Sequence, residues 1–171
     1  MRTATLFRNI LLCLSLLLTT ACSPKFDWRD VRGNGYTATF PAKPSSLTRQ
    51  VNLGGRSVAM TMTAAEIDGV TFAVGSAEMA DASQAASAVP VMKEALVGNI
   101  HGRLKSEKAD ASSGALDVEA LGSAPAGDAK LLLLGRFASK GKRVYQAVVV
   151  GPEKNLSREA ADTFLSSFKA D

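Results

Sequence analysis

Cysteine is almost absent from this chain of 171 residues: Cys13 and Cys22 are the only two. None follows Cys22, so a domain built from the remainder has no disulfide, no thiol nucleophile and no thiolate metal site. Histidine is scarcer still, with His101 alone. A lone imidazole cannot build a zinc site without cysteine partners. A nucleophile–His–acid triad needs that ring in a cleft beside an exposed serine, and no glycine-flanked serine elbow is present. His101 falls late in a helical pattern, between Ile100 and Gly102, and reads as a partly exposed structural residue. Aromatic residues make up only 6% and are not interleaved with basic ones. The net charge of +4 falls to +2 without Arg2 and Arg8. That small excess describes a mixed solvated surface and excludes a nucleic-acid partner. No cofactor and no metal is expected.

Long apolar runs are missing too. Crossing a bilayer takes about 20 mostly apolar residues, whereas Ile10 to Leu18 (ILLCLSLLL) offers nine and is preceded by Arg8-Asn9. What is present is a basic tip, a short apolar run and a small-residue segment, the layout of a secretory signal peptide. The run closes on Thr19-Thr20-Ala21 and then Cys22. This junction resembles the lipobox of bacterial lipoproteins. The resemblance implies cleavage before Cys22, a lipid on its sulfur and a membrane partner reached through that lipid. Ser23 implies export to the outer membrane, facing the periplasm. Two alternatives stay open: ordinary secretory cleavage after Ala21, for which Thr19-x-Ala21 is an acceptable site, and an uncleaved anchor.

On this reading residues 1–21 are a signal peptide, 22–26 a lipidated cysteine with a short tether, and 27–171 one domain. Removing 21 residues leaves 150, a usual single-domain size that buries about 70% of its unfolded surface. Five chain steps from Cys22 to Asp27 span under about 20 Å, so the domain would sit almost on the headgroups.

The domain reads as strands parted by turns. Trp28–Arg32 and Tyr36–Phe40 flank Gly33-Asn34-Gly35, where Asn-Gly predicts a type I′ hairpin turn. Leu47–Leu53, Ser57–Ala65 and Val70–Ala77 follow as a meander, separated by Gly54-Gly55-Arg56 and Asp68-Gly69. From Ala82 to Leu104 the alternation stops, and Val89, Met92, Leu96, Ile100 and Leu104 recur at helical spacing. Pro90 leaves two options: the helix proper starts there, with proline in its first turn, or a short preceding turn is kinked. Gly98 and Gly102 weaken the interior and allow close packing against a sheet. Strands return at Leu104–Ala109, Ala115–Leu121, Lys130–Ala138 and Arg143–Val150. Leu131–Leu134 and Val148–Val150 are apolar on both faces and are expected to be central and covered on both sides. Ser157 is an N-cap for a closing helix that carries Ala160, Ala161, Phe164, Leu165 and Phe168 on one side. Residues 109–114 read as a loop. The fold class is α+β, an antiparallel sheet flanked by two helices.

Three short segments carry a second resemblance: Gly35-Tyr36 through Phe40-Pro41, Arg143-Val144-Tyr145, and Phe164-Leu165-Ser166-Ser167-Phe168. With the element order they resemble the PsbP-like fold, an antiparallel sheet between helices. The resemblance covers most of residues 27–170 and implies an α/β/α sandwich of the kind used by accessory and assembly factors, generally without catalysis. It transfers no site residue.

Gly33-x-Gly35-x-x-Ala38 matches a dinucleotide fingerprint formally, but its glycines lead into a strand and not a helix, so it is a turn. Asp117 and Glu119 share one strand face and could hold a cation or act as an acid/base pair. No glycine-anchored calcium loop surrounds them, and a solvated face is the plainer reading. Arg136, Lys140, Lys142 and Arg143 form the one basic cluster to test. Charged residues at a hairpin tip discourage edge pairing. On a short lipid tether they could instead touch anionic headgroups, where each is worth about 1 kcal/mol, or a partner's acidic patch. Trp28 is expected in the core, with a sheet edge or the membrane interface as alternatives. The function expected is a non-catalytic, lipid-anchored accessory or interaction domain of the bacterial cell envelope, with a protein partner not identified by these residues. The alternative is a carrier of a small apolar or lipidic ligand between sheet and helix, walled by Met60, Met62 and Met92. An envelope hydrolase comes third.

Overall fold

The computed structural model describes residues 25–111, 113–124 and 129–171. The expected signal peptide and Cys22 lie outside the described residues.

The chain folds as α+β. A hairpin of β1 (Arg29–Gly33) and β2 (Tyr36–Phe40) leads into the meander β3 (Ser45–Leu53), β4 (Arg56–Ile67) and β5 (Val70–Glu78). Helix α1 (Ala82–Asn99) precedes β6 (Arg103–Ala109), β7 (Leu116–Ser123), β8 (Lys130–Lys140) and β9 (Arg143–Pro152). Helix α2 (Arg158–Ser167) and a short β10 (Lys169–Ala170) close the chain. Seven strands form one antiparallel sheet in the order β3-β4-β5-β9-β8-β7-β6. Strands β9 and β8, which carry the unbroken apolar runs Val148–Val150 and Leu131–Leu134, lie in its interior, as those runs require: a strand buried on both faces cannot alternate.

The first hairpin does not join this sheet. It pairs with β10 in a second sheet, β1-β2-β10, through Lys169↔Thr37 and Ala170↔Tyr36. Its alternating Tyr36, Ala38 and Phe40 face inward together with α2, onto Phe72, Val74, Leu132, Tyr145 and Val149 of the large sheet. Helix α1 covers the other face, where Met92, Ala85 and Ala88 meet Leu133, Phe137, Val144 and Val148. The period-two pattern of β5, β8 and β9 thus feeds two separate cores.

Three local features differ from expectation. Asn34 keeps a negative φ while Gly35 has φ +75, so the first hairpin turn is not type I′. That geometry appears at Asp68-Gly69, with φ +53 and +75, between paired Ile67 and Val70. Helix α1 begins well before Pro90, which sits in its interior. Asp81 caps it, accepting from the Gln84 N–H at 2.8 Å and from the Gln84 side chain at 2.9 Å. Burial of Ala85, Ala88 and Met92 outweighs the ~3 kcal/mol that an interior proline costs.

The helix also stops earlier than its spacing predicts, at Asn99, and Leu104 lies 45% exposed on edge strand β6. His101 takes φ +47, its N–H bonding Gly98 O and that of Gly102 bonding Val97 O. This is a Schellman ending with histidine where glycine is usual. Gly98 faces open space, so it serves no close packing. Gly102 does allow a close approach, since a Cβ there would lie 3.1 Å from the Leu121 carbonyl of β7, and at Gly122 a Cβ would overlap the Ile100 carbonyl.

Candidate functional site

Helix α2 and the small sheet cover the inner strands of one face and leave β6 and β7 open. A groove results, floored by β6–β8 and walled by α2 and β10. It contains two adjoining cavities of about 500 and 540 Å³ that share Arg136 and Ser166. Alternation places Asp117 and Glu119 of β7 and Arg136 of β8 on this side, and α2 contributes Arg158, Asp162 and Leu165.

The expected pairing of Asp117 and Glu119 on one face holds, but each carboxylate is engaged by cations. Arg136 lies directly opposite Asp117 in the ladder and grips it with two bonds, Nε–Oδ1 at 2.7 Å and Nη2–Oδ2 at 2.8 Å. Glu119 accepts from Lys105 at 2.9 Å and from Arg158 at 2.6 Å. The Arg158 bond, opposed by burial and aided by Lys105, holds the Glu119 carboxyl below its usual range. Both carboxylates are therefore spent on guanidinium or ammonium partners. Among the described residues no group of three or more His, Cys, Asp or Glu side chains is placed to hold a metal ion.

The basic cluster does not act as one free patch. Besides Arg136 on Asp117, Lys140 donates to the Ala170 carbonyl at 3.0 Å, and Arg143 pairs with Glu78 across β9 and β5 at 3.0 Å. Lys142 is exposed in the turn, where its backbone carbonyl accepts from Met79 N–H. Arg136, Lys140 and Arg143 share the α2 face of the sheet. Arg136 and Lys140 line the groove, while Arg143 stands at the hairpin tip beside β5.

His101 ends α1, on the opposite face of the sheet from the groove, and is exposed. Met60 and Met92 are closed in the α1-side core, and the sulfur of Met62 accepts from Gln146 at 3.6 Å. The three methionines thus fill packing space on the face away from the groove. Trp28 is half-buried against the α2-side core, its ring 5.5 Å from that of Phe26.

The segments behind the PsbP-like resemblance meet in space. Phe168 lies 6.1 Å from Tyr36 and 5.9 Å from Tyr145, and Phe164 lies 5.1 Å from Phe40 in an edge contact. These residues form the joint between α2, the small sheet and the large one. Burial pushes both tyrosine phenols above their usual value. Sequence reading missed Arg158, Asp162 and Ser166 as groove residues and Lys105 as a partner of Glu119. Their only sequence signal was alternation in β6 and helical spacing in α2, which does not reveal that the two elements adjoin.

No protein-family model matches the chain, and no curated protein is significantly similar to it.

Proposed function

We propose that the protein is a non-catalytic accessory or interaction domain of the bacterial cell envelope, carried by a lipid on Cys22 and facing the periplasm from the outer membrane. The observation that carries this reading is how soon structure begins after the lipobox-like segment. Lys25 already pairs with Asp68 at 2.8 Å, and Phe26 and Trp28 already pack on the core. Three chain steps from Cys22 reach at most about 11 Å. A domain that starts so close to a lipidated cysteine is built to stay at a membrane surface.

Two further features support it. The two β7 carboxylates in the groove are each held by cations, an arrangement that suits docking of a polar segment better than general acid–base work, which needs a group free to reach the reacting proton. The layering of a large antiparallel sheet between α1 and the α2 layer, with the resemblance segments joined in one aromatic cluster, supports a PsbP-like sandwich. Fold likeness alone is a weak warrant for function, so the anchor is tested first.

Cys22→Ser should abolish acyl-label incorporation and release the domain from membranes, while wild type resists a high-salt wash that strips electrostatic association. Equal labelling and fractionation of the two forms would refute the lipoprotein. Crosslinking and recovery from intact envelopes should then return a stoichiometric protein partner. Recovery of bound lipid in its place would favour the carrier.

A further inference from the structure

The large sheet has two poles, and the tether enters at only one of them. Lys25 is held by Asp68 in the β4–β5 turn, and Asn155 donates to the Asp68 carbonyl at 2.8 Å. The β9–α2 segment and the start of β8 lie at the same end, since Glu153 N–H bonds Lys130 O. The basic hairpin lies at the other end, where Arg143 faces Glu78. Along β9, Arg143 to Gly151 separates these poles by eight residue steps, about 26 Å at ~3.3 Å per residue.

We infer that the domain stands on the bilayer on its Asp68–Asn155 pole, with Phe26, Trp28 and Lys25 as the groups that meet the lipid headgroups. The inference rests on the lipid-anchor reading but commits to an orientation that the anchor alone does not require. Its chemistry is local. Phe26 and Trp28 form a half-buried ring pair, and the Lys25 ammonium lies 5.6 Å from the Phe26 ring centre. The amphipathic indole of Trp28 and a lysine whose apolar stem can lie along the ring pair are side chains favoured at a membrane–water interface.

The same geometry removes the basic hairpin from the membrane. With a reach of about 11 Å from Cys22, an upright domain holds Lys142 and Arg143 more than two Debye lengths of about 8 Å from the headgroups. Their charge is then presented to the periplasm, where it can meet a protein and not a lipid.

Trp28 is the sole tryptophan, so the wild-type chain carries its own probe. The lipidated full chain, purified from membranes, is placed in vesicles containing a lipid with a nitroxide on its headgroup. A second sample carries a fluorophore on Lys142→Cys, an exposed turn position. Flotation with the vesicles establishes the anchor separately. Strong quenching of Trp28 with none at position 142 is the expected result. A floating protein whose Trp28 is unquenched, or whose position 142 is quenched as strongly, overturns the orientation while leaving the anchor intact. A chain that does not float sinks the anchor and the orientation with it.

Discussion

Phe164 on α2 makes edge contacts with Phe40 of the small sheet at 5.1 Å and with Phe72 of the large sheet at 5.6 Å, and it is fully buried. Phe164→Ala should therefore loosen three elements at once. Truncating a buried phenylalanine costs about 3–5 kcal/mol, to which loss of two aromatic pairs contributes about 0.5–1.5 kcal/mol each. Domains of this size have about 5–15 kcal/mol in total, so the variant should remain only marginally folded. In urea, with a slope of about 2 kcal/mol per molar, a 4 kcal/mol loss moves the midpoint down by about 2 M. Phe164→Leu keeps most of the volume but neither ring pair, and should lose about 1–3 kcal/mol. Both measurements are made on the domain beginning at Ser23, followed by circular dichroism. If the alanine variant loses less than about 1.5 kcal/mol at unchanged slope, α2 is not the clamp between the sheets, because a well-packed site cannot absorb that deletion so cheaply.

Two further outcomes are expected. His101→Gly should raise stability by about 0.5–1 kcal/mol, because φ +47 strains a side chain and not glycine; a loss in the urea midpoint would mean that the imidazole itself holds the turn. The lowered Glu119 carboxyl contributes stability that is present above its usual range and lost as pH falls through its folded value. Glu119→Gln should therefore start less stable near neutral pH and lose less than wild type between about pH 6 and about pH 3. Parallel pH curves for the two proteins would show that the Lys105–Glu119–Arg158 pairing contributes nothing to folding.

What was legible from sequence was local. Turn glycines at Gly54-Gly55 and Gly141, the alternation of β2 and β4, and the unbroken apolar runs of β8 and β9 mark strands because each signal acts within a few residues. Ser157 announces α2 by the same logic, and its hydroxyl does accept from Ala160 N–H. Even Asp81 with Gln84 was a readable helix start, but the helix-breaking weight of Pro90 obscured it. Packing of the Ala85–Ala88–Met92 face is a non-local term, and it decides whether a helix continues through a proline.

The tertiary structure alone decided what no window of sequence contains. Which sheet the first hairpin joins depends on two residues at the far end of the chain, Lys169 and Ala170, and on where α2 delivers them. The groove exists because α2 and that small sheet are too narrow to cover β6 and β7. Its pairs join residues as distant as Glu119 and Arg158. The pole that receives Lys25 was likewise invisible, since its partner Asp68 is set by the β4–β5 turn. Periodicity says which way a side chain faces within its own element, and only the packing of elements says what it meets there.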